Sequence, residues 1–367
     1  MNKVLFLGTD LFSVGGIQRY SNYQLRALKE SGYDVVALSL HPPSKSFFRE
    51  TSSVAFHSTG ATLIGKLYFC IMSVFYILQF RPHFVISAHI GFSILVSILK
   101  LFSKATFILN VYGLEIWSRP KKIISKRLNC FDKIIGDCNF IISYVLPLTK
   151  KNKLYLLYDP VDEGWVENET VNYRKPKSTK FTESNFKILT VGRLERKKGH
   201  FEILSILGSL PSNIVYQVVG EGHLRKTLEK LVAIKGLQSR VEFLGRQTDR
   251  ELARFYQFCD VVILISSVGD NEGEGLPMGA IEGSGFGKPV IVGDQDGSRD
   301  AISKTASNGF LITPGDDAQL KEAIINYYTD KNLKMKHGNA GRTYSINTFG
   351  FKKFTKNLLE ILENEKN

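Results

Sequence analysis

The sequence lacks a long hydrophobic run, is poor in cysteine and carries almost no acid over one quarter of its length. Its most apolar stretch, Leu67 to Phe80, spans about 14 residues, contains Gln79 and is flanked by Lys66 and Arg81. A membrane-spanning helix needs ~20 apolar residues, so no transmembrane anchor is expected. The opening MNKVLFLGTD has too short an apolar run for a signal peptide and reads as a first strand. The four cysteines (Cys70, Cys130, Cys138, Cys259) form no C-x-x-C pair, and none has a histidine at metal-ligand spacing. Reduced thiols in a cytoplasm are the expectation. No G-x-G-x-x-G follows the first strand, which disfavours a nicotinamide dinucleotide. Between Ala61 and Tyr155 only three acids (Glu115, Asp132, Asp137) stand against 13 Lys/Arg, so this stretch carries +10 of the chain's formal +13. Such a balance fits nucleic acid, an anionic membrane or a phosphorylated substrate. No recognition motif or stacking platform for nucleic acid accompanies it, and that partner is not expected.

What is present is a chain of 367 residues, 43% apolar and 23% charged, as in a globular protein of two domains. Val4 to Gly8 reads as a doubly buried strand, Gln18 to Ser31 as a helix entered through Gly15-Gly16, and Asp34 to Leu40 as the next strand. Helices at 64–79, 91–101 and around 120–128, with strands at 81–87, 106–111 and 140–143, continue a doubly wound α/β pattern. The polar, lysine-rich stretch 163–185 reads as an interdomain linker. Beyond it, strands at 187–191, 214–219, 241–244 and 261–265 alternate with helices again. The expected division is a first domain at 1–165 completed by a terminal helix within 346–367, a linker at 166–185 and a second domain at 186–345.

Chemistry concentrates between Ser266 and Asp300. The apolar run Val261 to Ile265 ends in a glycine-rich loop, Gly269 to Gly275, and Pro277 suits the first position of a short helix reaching Ser284. Strand, glycine loop, helix and strand in succession present backbone N–H groups to an anion. Glu274 and Glu282 would repel a phosphate, so their expected task is to accept hydrogen bonds from hydroxyls beside it, as a sugar next to a diphosphate would offer. A second loop, Gly192-Arg-Leu-Glu-Arg-Lys-Lys198-Gly199, places permanent cations at the end of another strand. Taken singly, each loop also fits a structural role, as an acidic helix start or a solvated basic turn.

Together they carry a resemblance. Glu274-Gly-Leu-Pro-Met-Gly-Ala-Ile-Glu282 resembles the glutamate–seven residues–glutamate motif of the retaining glycosyltransferases of family 4, which have the GT-B fold. Gly287-Lys-Pro-Val-Ile291 resembles the strand after that motif, and Gly192 to Gly199 the family's glycine-arginine-leucine…lysine-glycine loop. The Gly15-Gly16 turn resembles the family's first loop, and Asn308 to Ile312 with Gly315-Asp316 its next strand and helix start. One position departs: the family usually has histidine before the glycine equivalent to Gly113, and here it is Tyr112, which offers a hydroxyl but no proton carrier near neutrality.

The resemblance implies two Rossmann-like α/β domains facing across a cleft, with a terminal helix crossing back to the first. It implies transfer of a hexose from a nucleoside diphosphate sugar (UDP or GDP) to a hydroxyl acceptor, with retention, by a hexosyltransferase. Arg193 and Lys198 would hold the diphosphate with N–H groups of Gly275 and Leu276, and Glu274 would meet the sugar and Glu282 the ribose. Gly15, Gly16, Tyr112, Gly245 and Arg246 would complete the donor site. No aspartate-x-aspartate pair stands where a metal-bridged diphosphate would need one, so neither a metal nor another cofactor is expected. Family members with this outline often build bacterial surface polysaccharide or lipopolysaccharide, which implies a saccharide or lipid-linked saccharide acceptor. The alternatives are a nucleotide-sugar-binding scaffold without turnover, and an epimerase or phosphorylase on the same fold. Lys121, Lys122, Lys126 and Arg127 fall within seven residues near Trp117, so peripheral binding to the anionic inner face of the cell membrane is expected. Leu67, Tyr68, Phe69, Phe75 and Tyr76 read as core positions.

Overall fold

The continuous apolar runs become the strands of two parallel sheets, seen in a computed structural model. It describes residues 2–13, 15–42, 55–117, 119–171, 175–176, 179–266, 273–305 and 307–364, without the side chains of 55, 56, 58 and 114. The first sheet comprises β1 (Lys3–Gly8), β2 (Asp34–Ser39), β3 (Ala55–Ser58), β4 (Phe84–Ser87), β5 (Thr106–Val111), β6 (Lys133–Gly136) and β7 (Leu154–Leu156). Its order is β3-β2-β1-β4-β5-β6-β7. The second comprises β8 (Phe186–Val191), β9 (Ile214–Val219), β10 (Val241–Gly245), β11 (Val261–Leu264), β12 (Val290–Gly293) and β13 (Gly309–Ile312), in the order β10-β9-β8-β11-β12-β13. In both sheets the strand order reverses at the first strand, β1 or β8. Open α/β sheets bind ligands outside the carboxyl ends of the strands at such a reversal.

The chain divides into two units, Met1–Pro160 with Phe351–Asn367, and Val161–Gly350. In the first, the terminal helix Phe351–Glu363 buries Phe351, Phe354, Leu358, Ile361 and Leu362. Phe354 meets Tyr20 of the helix Gly16–Glu30 edge-on at 5.7 Å between ring centres, and the Arg26 guanidinium lies 4.3 Å from the Phe351 ring centre. Lys133 is buried, and its ammonium donates to the carbonyls of Ile361, Leu362 and Asn364 at 2.6, 3.0 and 2.8 Å. One cation thus satisfies the orphan carbonyls at the end of that helix.

This explains one departure from the sequence reading. The strand after β5 is Lys133–Gly136, hidden in the sequence because a lysine opens it. The run Phe140 to Ser143 is instead part of a helix, Asn139–Val145, whose buried residues Ile141 and Val145 stand four apart. The expected linker also begins differently. A helix covers Glu163–Val171, Val166 is buried, and the Trp165 ring packs edge-on against Phe286 at 5.0 Å. Val161 donates its N–H to the Phe349 carbonyl at 2.8 Å, so the second unit already starts there. Of the aromatic cluster at 67–76, Phe69 is buried, whereas Leu67, Tyr68 and Phe75 are exposed.

In the second unit the helix His200–Leu207 starts with a buried histidine. His200 Nδ1 lies 2.8 Å from Tyr216 Oη and Nε2 lies 3.5 Å from the Arg193 carbonyl. Burial is the main cause that pushes its pKa down to about 4. The unfolded chain takes up this proton below ~6.5 and the folded chain does not. The stabilisation is therefore complete above that pH and is lost as pH falls toward the folded value, by about 3 kcal/mol in all. Urea unfolding of wild type and His200→Gln at neutral and mildly acid pH tests this: the stability difference should shrink by ~2–3 kcal/mol on acidification. Parallel pH profiles would refute the assignment.

Candidate functional site

The loop after β8 is Gly192-Arg193-Leu194-Glu195, followed by one turn of 3-10 helix, Arg196–Lys198. Gly199 then takes a left-handed conformation (φ 73°), and a Cβ there would stand 2.5 Å from the Ile265 carbonyl oxygen. Glycine is therefore what lets this loop lie against the end of β11. Across that contact, Lys198 Nζ and Glu274 Oε1 form an ion pair of 2.7 Å, with side chains only 10 and 15% exposed. The other Glu274 oxygen, Oε2, is buried and has no hydrogen-bond partner among the described residues. A buried carboxylate oxygen without a donor is costly, so this atom is an acceptor aimed at a group such as a hydroxyl.

Asp296 fixes Glu274 in place. Its Oδ2 accepts the Glu274 N–H at 2.8 Å, and its Oδ1 accepts Ser266 Oγ at 3.0 Å and the Ser298 N–H at 2.9 Å. Ser266 and Ser298 are themselves in hydrogen-bond contact at 2.7 Å, and the Glu274 carbonyl accepts the Gly297 N–H at 3.2 Å. Burial raises the Asp296 pKa, and these hydrogen bonds oppose it. The sequence reading missed Asp296. Its signal was there, an aspartate before Gly-Ser just past a strand, the pattern of a side chain that caps its own turn. Asp294-Gln-Asp296 is also an aspartate-x-aspartate pair, but Asp296 accepts from protein donors on both oxygens and Asp294 Oδ2 accepts Thr313 Oγ1 at 3.1 Å.

The helix Met278–Gly285 follows, capped by Pro277 one position earlier than expected. A Cβ on Gly279 would stand 2.6 Å from the Val191 carbonyl oxygen, so the start of this helix abuts the end of β8. Gly275 is half-buried and Leu276 buried between Glu274 and the helix. Glu282 is buried on the helix and accepts the Tyr256 hydroxyl at 2.8 Å.

Of the residues expected from the sequence, Lys198 and Glu274 are thus brought into contact. Arg193 turns to solvent, 65% exposed, and pairs with Glu195 at 2.7 Å, a partner the sequence did not indicate. Gly245, with φ 67°, accepts the Gly220 N–H at 2.9 Å, and Arg246 beside it is exposed. The first part of the expected glycine loop, 269–272, lies outside the described residues. In the first unit, Gly15 caps the helix Gly16–Glu30 with extended backbone, and its carbonyl accepts the Arg19 N–H at 2.9 Å. Tyr112 follows β5, donates its N–H to Glu115 Oε1 at 2.7 Å and meets Tyr20 edge-on at 5.6 Å. Its hydroxyl is buried, and burial raises its pKa far enough to keep it protonated.

Two doubly wound units, the last helix packed in the first, define the GT-B architecture. HepE of Anabaena, solved with UDP, has the same fold: TM-score 0.83 at 16% identity, covering 99% of this chain and 100% of that one. Residues 172–344, just under half of the chain, match the family model described as glycosyl transferases group 1. It is 28% identical to an uncharacterized glycosyltransferase of Methanocaldococcus jannaschii over 58% of this chain and 54% of that protein. To the lipopolysaccharide core biosynthesis glycosyltransferase LpsD of Rhizobium meliloti it is 27% identical, over 48% of this chain and 49% of that one. The chain spans about half the length of these two curated relatives.

Asp296 joins Ser266, Glu274 and Ser298, so Asp296→Ala leaves the Glu274 and Ser298 N–H groups without their acceptor and Ser266 Oγ with Ser298 Oγ alone. Hydrogen bonds to a charged group contribute ~1.5–3 kcal/mol each, so a loss of at least about 2 kcal/mol in urea unfolding is expected. A variant as stable as wild type would show that the network does not organise the loop.

Proposed function

We propose that the protein transfers a hexose from a nucleoside diphosphate sugar, UDP- or GDP-linked, to a hydroxyl acceptor with retention of configuration, as family 4 enzymes do. The observation that carries this reading is the Lys198–Glu274 pair at the strand-order reversal of the second sheet, with one buried Glu274 oxygen open to a donor. In this reading Lys198 and Arg193 offset the charge on the departing diphosphate, and N–H groups around Gly275 and Leu276 bind its oxygens. Glu274 Oε2 accepts a sugar hydroxyl, and Glu282 takes the ribose after exchanging its bond to Tyr256. The acceptor oxygen attacks the anomeric carbon on the face the diphosphate leaves. That carbon–oxygen bond breaks, and the proton passes to the leaving phosphate. Two cations in place of a metal ion make the reaction independent of divalent ions. By the family resemblance Gly15, Gly16 and Tyr112 are assigned to the donor as well, and Gly245 and Arg246 to its base.

The similarity to LpsD supports a lipopolysaccharide acceptor, and the UDP found with HepE supports a uridine donor. Tyr112 in place of histidine favours a second reading, a donor-binding protein without turnover. Release of free nucleoside diphosphate in the presence of acceptor separates the two.

Glu274→Gln keeps the size of the side chain and removes its charge. At ~1.5–3 kcal/mol for a charge-assisted hydrogen bond, sugar transfer should fall at least tenfold while the fold persists. Unchanged turnover would remove Glu274 from the site. Arg193→Ala and Lys198→Ala should each weaken binding of free UDP or GDP, read by calorimetry, and EDTA should leave wild-type transfer unaltered. Activity lost in EDTA and restored by magnesium would contradict the two-cation arrangement.

A further inference from the structure

The helix Leu63–Gln79 turns an apolar face outward. Its buried stripe is narrow, Gly65, Phe69, Ser73 and Ile77, each four residues from the next. Between these, Ile64 (81% exposed), Leu67, Ile71, Phe75 and Leu78 stand in solvent. A helix of a soluble domain normally points its apolar side inward, and a contiguous exposed apolar face marks an interaction surface. The face continues onto its neighbours. Phe69 stacks on Phe92 at 5.1 Å, which joins this helix to the helix Ser93–Leu99, where Ile94 is 71% exposed. An open cavity of about 430 Å³, lined by Ile94, Ser97, Ile123, Lys122, Lys126 and Arg127, connects that helix to Lys121–Leu128.

The charge on this surface has one sign. The three helices contain five cations, Lys66, Lys121, Lys122, Lys126 and Arg127, and no aspartate or glutamate. Among the described residues, no helix is long and apolar enough to cross a membrane. At 1.5 Å per residue the helix Leu63–Gln79 is ~26 Å long, which suits lying within an interface rather than traversing one.

We propose that these three helices form a docking surface for an anionic lipid bilayer, with Leu63–Gln79 lying in the plane of the interface. Its exposed apolar side chains enter the acyl boundary, and the cations of Lys121–Leu128 meet the headgroup phosphates. The apolar contacts supply a part of the binding that salt does not screen, and the cations a part that it does. Membrane binding stands independently of the transfer reaction. Only the corollary that the acceptor is lipid-linked rests on the transferase reading.

The full chain is co-sedimented with phosphatidylglycerol-rich and with phosphatidylcholine vesicles at low and high salt. Wild type should bind the anionic vesicles more tightly, and raised salt should weaken that binding without abolishing it. The exposed-face variant Ile64→Gln/Leu67→Gln/Ile71→Gln should bind at least tenfold more weakly at both salts. Lys121→Gln/Lys122→Gln/Lys126→Gln/Arg127→Gln should lower low-salt binding about a hundredfold or more, at ~1 kcal/mol per basic residue, and flatten the salt dependence. Thermal shifts with UDP and GDP should be the same in both variants as in wild type. A nucleotide response lost in all proteins while vesicle binding persists would count against the transferase reading alone. The proposal is overturned if wild type ignores anionic vesicles at low salt, or if the apolar variant binds as wild type does. It is equally overturned if light scattering shows a dimer that the apolar variant dissociates, because a second copy then covers the face.

Discussion

The contact on which the second unit depends is the buried ion pair between Lys198 and Glu274. Taking two charges out of water costs several kcal/mol per ion, and their attraction repays this only with good geometry and further hydrogen bonds. Here one carboxylate oxygen has the lysine and the other has no partner among the described residues. Such a pair is poor material for stability, and apolar residues of similar volume would serve the fold better. Under the proposed transferase reading, a partner that brings hydroxyls and negative charge would account for its presence. Two loops far apart in sequence must meet to make it, and parallel topology supplies the meeting. β8 and β11 are neighbours, so the loops leaving their carboxyl ends emerge side by side. Gly199 and Gly279 then remove the side chains that would hold the loops apart, and Asp296 ties the acidic loop down from the end of β12.

The first unit solves a different problem with a similar sheet. Its terminal helix arrives from the far end of the chain and must be held without a loop to guide it. Apolar burial supplies the attraction, but burial alone leaves the last carbonyls of the helix unsatisfied. Lys133 answers this from inside a strand, reaching through the core with its stem and spreading three hydrogen bonds over the helix end. A lysine that reads as surface in the sequence is thus among the residues that complete the domain.

The same point separates what was legible in the sequence from what was not. Doubly buried strands announce themselves as apolar runs, and the Glu274 to Glu282 segment, with the Gly192–Gly199 loop, marked two stretches that the fold brings into contact. Pattern reports the polarity of side chains and leaves open what covers them. Lys133 is buried despite its charge, while Leu67 and Phe75 looked buried and are exposed. The helix Asn139–Val145 and a strand of equal length share one composition, and only the neighbours of Ile141 and Val145 decide between them. The local pattern around Asp296 marked its own turn but not its wider role, because two of its three partners are more than 20 residues away and only the folded sheet brings them to it.

Positive charge in this chain accordingly does two physically different things. Lys198 is nearly buried beside Glu274, where the dielectric is low and mobile ions do not enter, so its pull on a diphosphate is little screened. Lys121 and Lys122 stand in solvent, where a Debye length of ~8 Å at physiological salt weakens their reach steeply. Ionic strength therefore acts on the outer cations and hardly on the inner one. Under the two proposals together, salt would change how firmly the chain rests on a charged surface while leaving the grip on a phosphate ligand nearly constant. The exposed apolar face between those cations sets a floor that salt cannot remove, because burying hydrocarbon does not depend on counterions.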